Sequence, residues 1–158
     1  MPSLQPFIDL PALVLLIVAN STPVVVAGIL GKRHSAPLDG NVTLRDGRPL
    51  FGPHKTWRGL IAGTFTSGLA GELLSRGFLL GAAFGTLALA GDLCSSFVKR
   101  RVGRASGSWT PLLDQLPEAL LPMMVLQERM DLLPASIVGT AVVFAALDLI
   151  FAGPVALR

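Results

Sequence analysis

Residues 10–30 read LPALVLLIVANSTPVVVAGIL, twenty-one positions with no charge and only Asn20, Ser21, Thr22 and the two prolines Pro11 and Pro23 to interrupt an apolar run. A helix that crosses a bilayer needs roughly 20 mostly apolar residues, so this stretch predicts a spanning helix. A cleaved leader is the competing reading, because Ala19-Asn20-Ser21 resembles a cleavage site. No Lys or Arg precedes the run, however, so the positive segment that opens a leader is missing. The expectation is a retained helix.

The rest of the chain repeats the pattern. Of its 158 residues 51% are hydrophobic and 15% charged, and the mean hydropathy is +0.63. Soluble domains carry nearer a quarter charged residues. Further apolar segments at about 59–74, 77–98, 111–126 and 134–155 predict an all-α integral membrane protein of about five transmembrane helices. Short connections then exhaust the length, leaving 1–158 as one membrane-embedded domain. In the second span Gly59, Gly63, Ser67 and Gly71 recur every four residues, which gives one smooth face for close helix packing. Gly81 and Gly85 offer a matching pair in the third.

Charge gives the orientation. Loop 31–58 carries Lys32, Arg33, Arg45, Arg48, Lys55 and Arg58, loop 99–110 carries Lys99, Arg100, Arg101 and Arg104, and Arg158 ends the chain. Only Arg76 and Arg129 fall on the other side. The positive-inside bias therefore puts both large loops and the C-terminus in the cytoplasm and the N-terminus outside, in a multi-pass protein of the cell (inner) membrane.

Composition also excludes. One cysteine, Cys94, leaves no disulfide framework or cysteine metal site, and two histidines, His34 and His54, are too few for a histidine-rich one. Without tyrosine and with 6% aromatic residues, a base-stacking surface for nucleic acid has little to build on.

Carboxylates inside spans are costly and face the bundle interior or water. Asp92, Asp114, Glu118 and Asp148 are so placed, with Glu72 nearer the outer end of its helix. Asp92 lies seven residues before Lys99, about 10 Å along a helix. Asp114 falls in the first turn of a helix that Thr110-Pro111 is expected to open, as N-cap and first residue. Both thus lie near the cytoplasmic boundary, where two oxygen donors could share a hard cation such as Mg²⁺. Pairing with a Lys or Arg for packing is the lesser alternative for Asp92, and the helix dipole explains Asp114 as readily. The stretch FGPHKTWRG, residues 51–59, gathers glycine, proline, Lys55, Thr56, Trp57 and Arg58 just before a span. Such a loop can present backbone N–H groups, a hydroxyl and cations to phosphate.

GDLCSSFVKRR (91–101) followed by PLLDQ (111–115), HKTWRG (54–59) preceded by DGRPLFG (46–52), and ANSTPV (19–24) occur in this order. Together they resemble the sequence blocks of the CDP-archaeol synthase family. That family belongs with the CDP-diacylglycerol synthases among the CTP:lipid-phosphate cytidylyltransferases. The resemblance implies Mg²⁺-dependent transfer of CMP from CTP to a membrane lipid phosphate, an archaeol-type ether lipid being favoured, with CDP-lipid and pyrophosphate as products. It implies Asp92 and Asp114 as metal carboxylates, Lys99 and Arg100 as phosphate contacts, and Ser96 as a polar signature position. Lys55, Thr56, Trp57 and Arg58 would meet the nucleotide or the lipid headgroup, and Asn20 matches a polar position of the first span. The family commonly has a DQLD pattern, whereas this chain reads Asp114-Gln115-Leu116-Pro117-Glu118. Glu118 shares roughly one helical face with Asp114 and is the expected substitute. The residue types suit this chemistry, since a phosphomonoester with a second pKa of about 6 is already ionised at neutral pH and requires no histidine or cysteine base. The same reaction on phosphatidic acid is one alternative. A small non-catalytic membrane protein is another, although it would not explain cations and carboxylates gathered at one boundary.

Overall fold

The computed structural model describes residues 7–105, 110 and 113–151, and within them the chain is all helix and loop apart from two isolated β-bridges. Five helices follow in order: α1 (Leu10–Leu30), α2 (Trp57–Leu73), α3 (Phe78–Arg101), α4 (Gln115–Val125) and α5 (Pro134–Phe151). Three of them, α1, α3 and α5, are long and apolar enough to cross a membrane.

Helix α1 has the predicted bounds. Asp9 caps it, its carboxylate accepting the Ala12 N–H at 2.8 Å. The polar residues midway are satisfied locally: Asn20 Nδ2 donates to Leu16 O at 3.0 Å and Thr22 Oγ1 to Val18 O at 2.7 Å. Bonded back to the preceding turn, they cost little inside an apolar helix. Thr22 Oγ1 also lies 2.9 Å from Thr66 Oγ1, which ties α1 to α2.

The small-residue face of α2 is where the sequence puts it. Gly59, Gly63, Ser67 and Gly71 are buried, and so are Gly81 and Gly85 of α3. The fit is backbone against backbone at Gly81, where a methyl would stand 2.7 Å from Gly71 Cα, and backbone against side chain at Gly85, where one would strike Ser67. Gly91 continues this seam against α4, where an added methyl would stand 2.5 Å from Pro117 C and 2.7 Å from Glu118 Cα.

Several boundaries differ from those expected. Helix α2 starts two residues early, at Trp57, because Thr56 is its N-cap, Oγ1 accepting the Gly59 N–H at 3.3 Å. Helix α3 runs on to Arg101, so Lys99, Arg100 and Arg101 form its last turn rather than a loop. Cations are favoured there by the negative end of the helix dipole. Helix α4 begins at Gln115, not Pro111. Thr110 does not cap it; Asp114 and Thr110 bond each other instead, Thr110 N–H to Asp114 Oδ2 at 3.0 Å and Asp114 N–H to Thr110 O at 3.1 Å. The 11 residues of α4 extend about 16 Å, half of a hydrocarbon core about 30 Å thick. Pro111, the end of the fifth predicted span at 152–155 and Arg158 lie outside the described residues.

Candidate active site

The long loop between α1 and α2 is ordered by its own polar groups. Bridges pair Pro37 with Thr56 and Thr43 with Pro49. Asp39, which the sequence reading passed over, is the organiser: its carboxylate accepts backbone N–H groups from Asn41 (3.0 Å), Phe51 (2.9 Å) and Gly52 (3.0 Å). Burial acts to raise its pKa, but the N–H groups of Gly52, Phe51 and Asn41 outweigh it and hold the carboxyl below its ordinary value. Leu38 N–H donates to Lys55 O at 2.8 Å, which fixes the backbone that carries Lys55. A short aspartate followed by Gly40-Asn41 was the available signal.

The far end of the loop is stapled to α3. Arg101 donates to both carboxylate oxygens of Asp46, at 2.8 and 2.7 Å, and to Pro49 O at 2.6 Å. Arg48 Nη1 reaches back to the carbonyls of Arg100 (3.3 Å) and Arg101 (2.5 Å) in the last turn of the helix. Arg58 closes the other side, donating to Gly31 O at 2.8 Å and to Arg33 O.

Beneath this loop lies a cavity of about 1050 Å³, at the upper end of small-molecule sites. Its polar part joins Asp92, Ser96, Lys99 and Arg100 of α3 to Lys55, Thr56 and Arg58, to Asp114 and Glu118 at the start of α4, and to Asp148 of α5. Asn20 reaches it from α1. The apolar part includes Ile17, Val24, Phe144 and Leu147. Of the predicted site residues Trp57 alone does not line the cavity, and it is 50% exposed. Asp148, one of the carboxylates expected inside a span, also lines it, its Oδ2 accepting Gln115 Nε2 at 2.7 Å.

Two ion pairs dominate the charge pattern. Lys55 Nζ lies 2.5 Å from Asp92 Oδ2. Lys99 Nζ lies 2.7 Å from Asp114 Oδ1, a charge contact without hydrogen-bond alignment at that oxygen. Arg100 is buried, donates through Nη2 to Ala105 O at 2.7 Å, and keeps a buried Nε with no hydrogen-bond partner among the described residues. Arg58 Nε is in the same position. Arg101 Nε, away from the cavity, is unpartnered too, so the case for an anionic ligand rests on the guanidinium charges of Arg58 and Arg100 in the cavity wall.

A divalent metal is a separate question. Among the described residues no three His, Cys, Asp or Glu side chains are arranged as a metal-binding group. The donor chemistry fits Mg²⁺ nonetheless. Asp92, Asp114 and Glu118 offer hard oxygens to one cavity, and Mg²⁺ commonly takes only one or two carboxylates, completing its shell with water and substrate phosphate.

This arrangement has relatives. The model of the CarS-like CDP-archaeol synthase family matches residues 7–80 and 71–156. The chain belongs to the CDP-archaeol synthase family. Among curated relatives, a CDP-archaeol synthase of Aeropyrum pernix is 46% identical over 113 residues, 68% of this chain and 59% of that protein. One of Thermofilum pendens is 39% identical over 131 residues, 80% and 64% respectively. One of Hyperthermus butylicus is 34% identical over 119 residues, 72% and 68%. The matches thus span about three fifths to two thirds of those family members. A solved structure of an intramembrane enzyme for archaeal membrane lipids biosynthesis is 37% identical with a TM-score of 0.74, covering 92% of this chain and 91% of that one.

Proposed function

We propose that this chain is a CTP-dependent cytidylyltransferase that transfers CMP to the phosphate of an archaeol-type ether lipid. The observation that carries the reading is a single cavity whose cationic, carboxylate-lined part adjoins an apolar wall contributed by α1 and α5. A nucleotide triphosphate suits the first part and a lipid phosphate with apolar tails suits the second. A phosphate oxygen of the lipid attacks the α-phosphorus of CTP, the bond to the bridging oxygen of the β-phosphate breaks, and pyrophosphate leaves with that electron pair. The lipid phosphate is already anionic at neutral pH, so the chain has no proton to remove.

What remains is to bring anions together and hold them. Lys55, Lys99 and Arg100 neutralise phosphate oxygens, and the unpaired Nε–H groups of Arg100 and Arg58 can donate to one once their side chains turn toward it. Lys55 and Lys99 rest on Asp92 and Asp114, so binding exchanges their partners: the lysines turn to phosphate and the carboxylates become free. Asp92 and Asp114, with Glu118 beside them, would then hold Mg²⁺. When bound, that ion would neutralise charge on the transferring and leaving phosphates. By the positive-inside rule the cavity, which lies under the basic loops, faces the cytoplasm, with the N-terminus on the opposite side and five helices packed as one membrane domain.

The test is an assay of detergent-purified protein with CTP, Mg²⁺ and a panel of ether- and ester-linked lipid phosphates, scoring CDP-lipid and pyrophosphate. Wild type is expected to turn over the ether-linked lipid phosphate best. Asp92→Asn and Asp114→Asn are expected to abolish turnover while the protein stays folded. Near-normal rates in both variants would remove the metal assignment, and no turnover with any lipid would remove the proposed reaction.

A further inference from the structure

Eleven of the thirteen Lys and Arg residues lie on the side of the basic loops or at the chain's end, and the two exceptions are Arg76 and Arg129. The catalytic reading makes no use of them. They come from different connections, α2–α3 and α4–α5, yet both line one groove of about 820 Å³ at the end of the bundle away from the basic loops. Leu79, Leu80 and Ala83 of α3 and Leu126 at the end of α4 form its apolar wall. Leu79, Leu80 and Ala83 share one face of α3, and Arg76 stands before that helix, separated from it by the N-cap Gly77. The wall extends about 8 Å along α3 from Phe78 to Ala83, and Leu79 is 83% exposed.

The acids at this end do not line the groove. Glu72 is occupied as a cap, its Oε2 accepting the Phe78 N–H at 2.8 Å. Asp9 caps α1 and stands 4.0 Å from Arg76 Nη2, the outer limit of an ion pair. Glu128 and Asp131 are exposed and do not line it. The groove's titratable lining is therefore purely cationic, two guanidinium groups above an apolar trough.

We propose that this groove binds an anionic membrane phospholipid, its headgroup phosphate held by Arg76 and Arg129 and one chain lying along Leu79, Leu80, Ala83 and Leu126. Guanidinium forks match phosphate oxygens, and basic pockets between membrane helices are suited to anionic headgroups. The chain contributes little discrimination, because any lipid tail is as apolar as the leucines it would touch. Selection is by headgroup charge. This site is separate from the catalytic cavity, so its fate does not depend on the reaction proposed above.

Native mass spectrometry of detergent-purified protein titrated with phosphatidylglycerol or phosphatidylcholine tests it. Wild type is expected to retain phosphatidylglycerol in preference to phosphatidylcholine. Arg76→Gln with Arg129→Gln is expected to weaken phosphatidylglycerol binding roughly 30-fold, on the ordinary strength of two basic residues at a membrane surface. Arg76→Lys with Arg129→Lys should restore most of it, and turnover in the catalytic assay should persist in both. Arg129→Gln alone, at an exposed position, should give a loss of about 5-fold if the double variant fails to fold. Equal binding of the two lipids, unchanged binding by the glutamine variants, or competition by inorganic phosphate at the same concentration as the lipid would each overturn the proposal.

Discussion

Gly91→Ala is the most informative single change available. The methyl would stand 2.5 Å from Pro117 C and 2.7 Å from Glu118 Cα, both backbone atoms, whereas ordinary contact begins at 3.4 Å. Neither neighbour is a side chain that can swing aside, so α4 must retreat from α3 by about 1 Å. Overpacking of this kind costs about 1–3 kcal/mol. The catalytic consequence should be larger, because Gly91 adjoins Asp92 while Pro117 and Glu118 lie in the first turn of the short helix that Asp114 immediately precedes. A shift of about 1 Å between reacting groups can cost about 100-fold in rate. The assay is CDP-lipid formation by purified protein, with thermal unfolding in the same detergent. The expected result is a folded protein with a modestly lower melting temperature and a rate about two orders of magnitude down. Gly28→Ala is the matched control, since a methyl there meets nothing within 4 Å, and it should leave both measurements near wild type. A folded Gly91→Ala protein with full activity would refute the argument that the α3–α4 seam sets the spacing of the carboxylates.

Thr56→Ala removes the α2 cap. Because its bond to Gly59 N is long, 3.3 Å, the loss belongs at the low end of the capping range, about 0.5 kcal/mol. That is a melting shift of roughly 1–2 °C; a fall of ten degrees would mean that Thr56 does more than cap. Asp39 and Asp46 are both held below the ordinary carboxyl pKa. For Asp46 burial opposes the shift, and the Arg48 N–H and the Arg101 charge carry it. A depressed pKa gives stability that is complete above the unfolded value, near 3.9, and lost as pH falls through the lower folded values. A spin label at Arg45→Cys should therefore keep constant mobility down to about pH 4 and loosen below it; loosening already above pH 6 would exclude these two groups as its cause. The same variant in a Cys94→Ala background, treated with an impermeant thiol reagent outside intact cells, should stay unlabelled. Strong external labelling would reverse the orientation.

How far the sequence carried depended on the range of the interaction. Helix α1 was legible to the residue because its signal is local: a capping aspartate, an uncharged and mostly apolar run and a glycine at the end. The glycine faces of α2 and α3 were legible too, since a four-residue period needs no knowledge of the partner. Helix α4 was not, because the turn between Thr110 and Asp114 competes with the helix start that Thr110-Pro111 suggested. Most of the candidate site residues could be named, but not their pairings. Lys55 with Asp92 and Gln115 with Asp148 join residues 37 and 33 positions apart, and only the packing of the helices selects these partners from several equivalent charges. Asp39 was missed because its three acceptor bonds involve backbone, which every residue offers alike.

The glycine seams have a mechanical consequence. Among the described residues α1 to α4 meet one another closely at glycines, backbone to backbone at Gly71, Gly81 and Gly91 and against the side chains of Pro23, Leu89 and Ser67 at Gly59, Gly63 and Gly85. Helix α5 has only Gly139, and that glycine meets Phe7 rather than a helix of the cavity. Beside it, Thr140 Oγ1 accepts the Asp9 N–H at 2.9 Å. The helix is thus pinned near its far end and held at the cavity by side chains and the bond from Gln115 to Asp148. Ile137, Ala141 and Phe144 seat it in the core, so the fit of α5 is set by side-chain shape, which a substitution can repack, while the glycine contacts of the other helices leave no such slack.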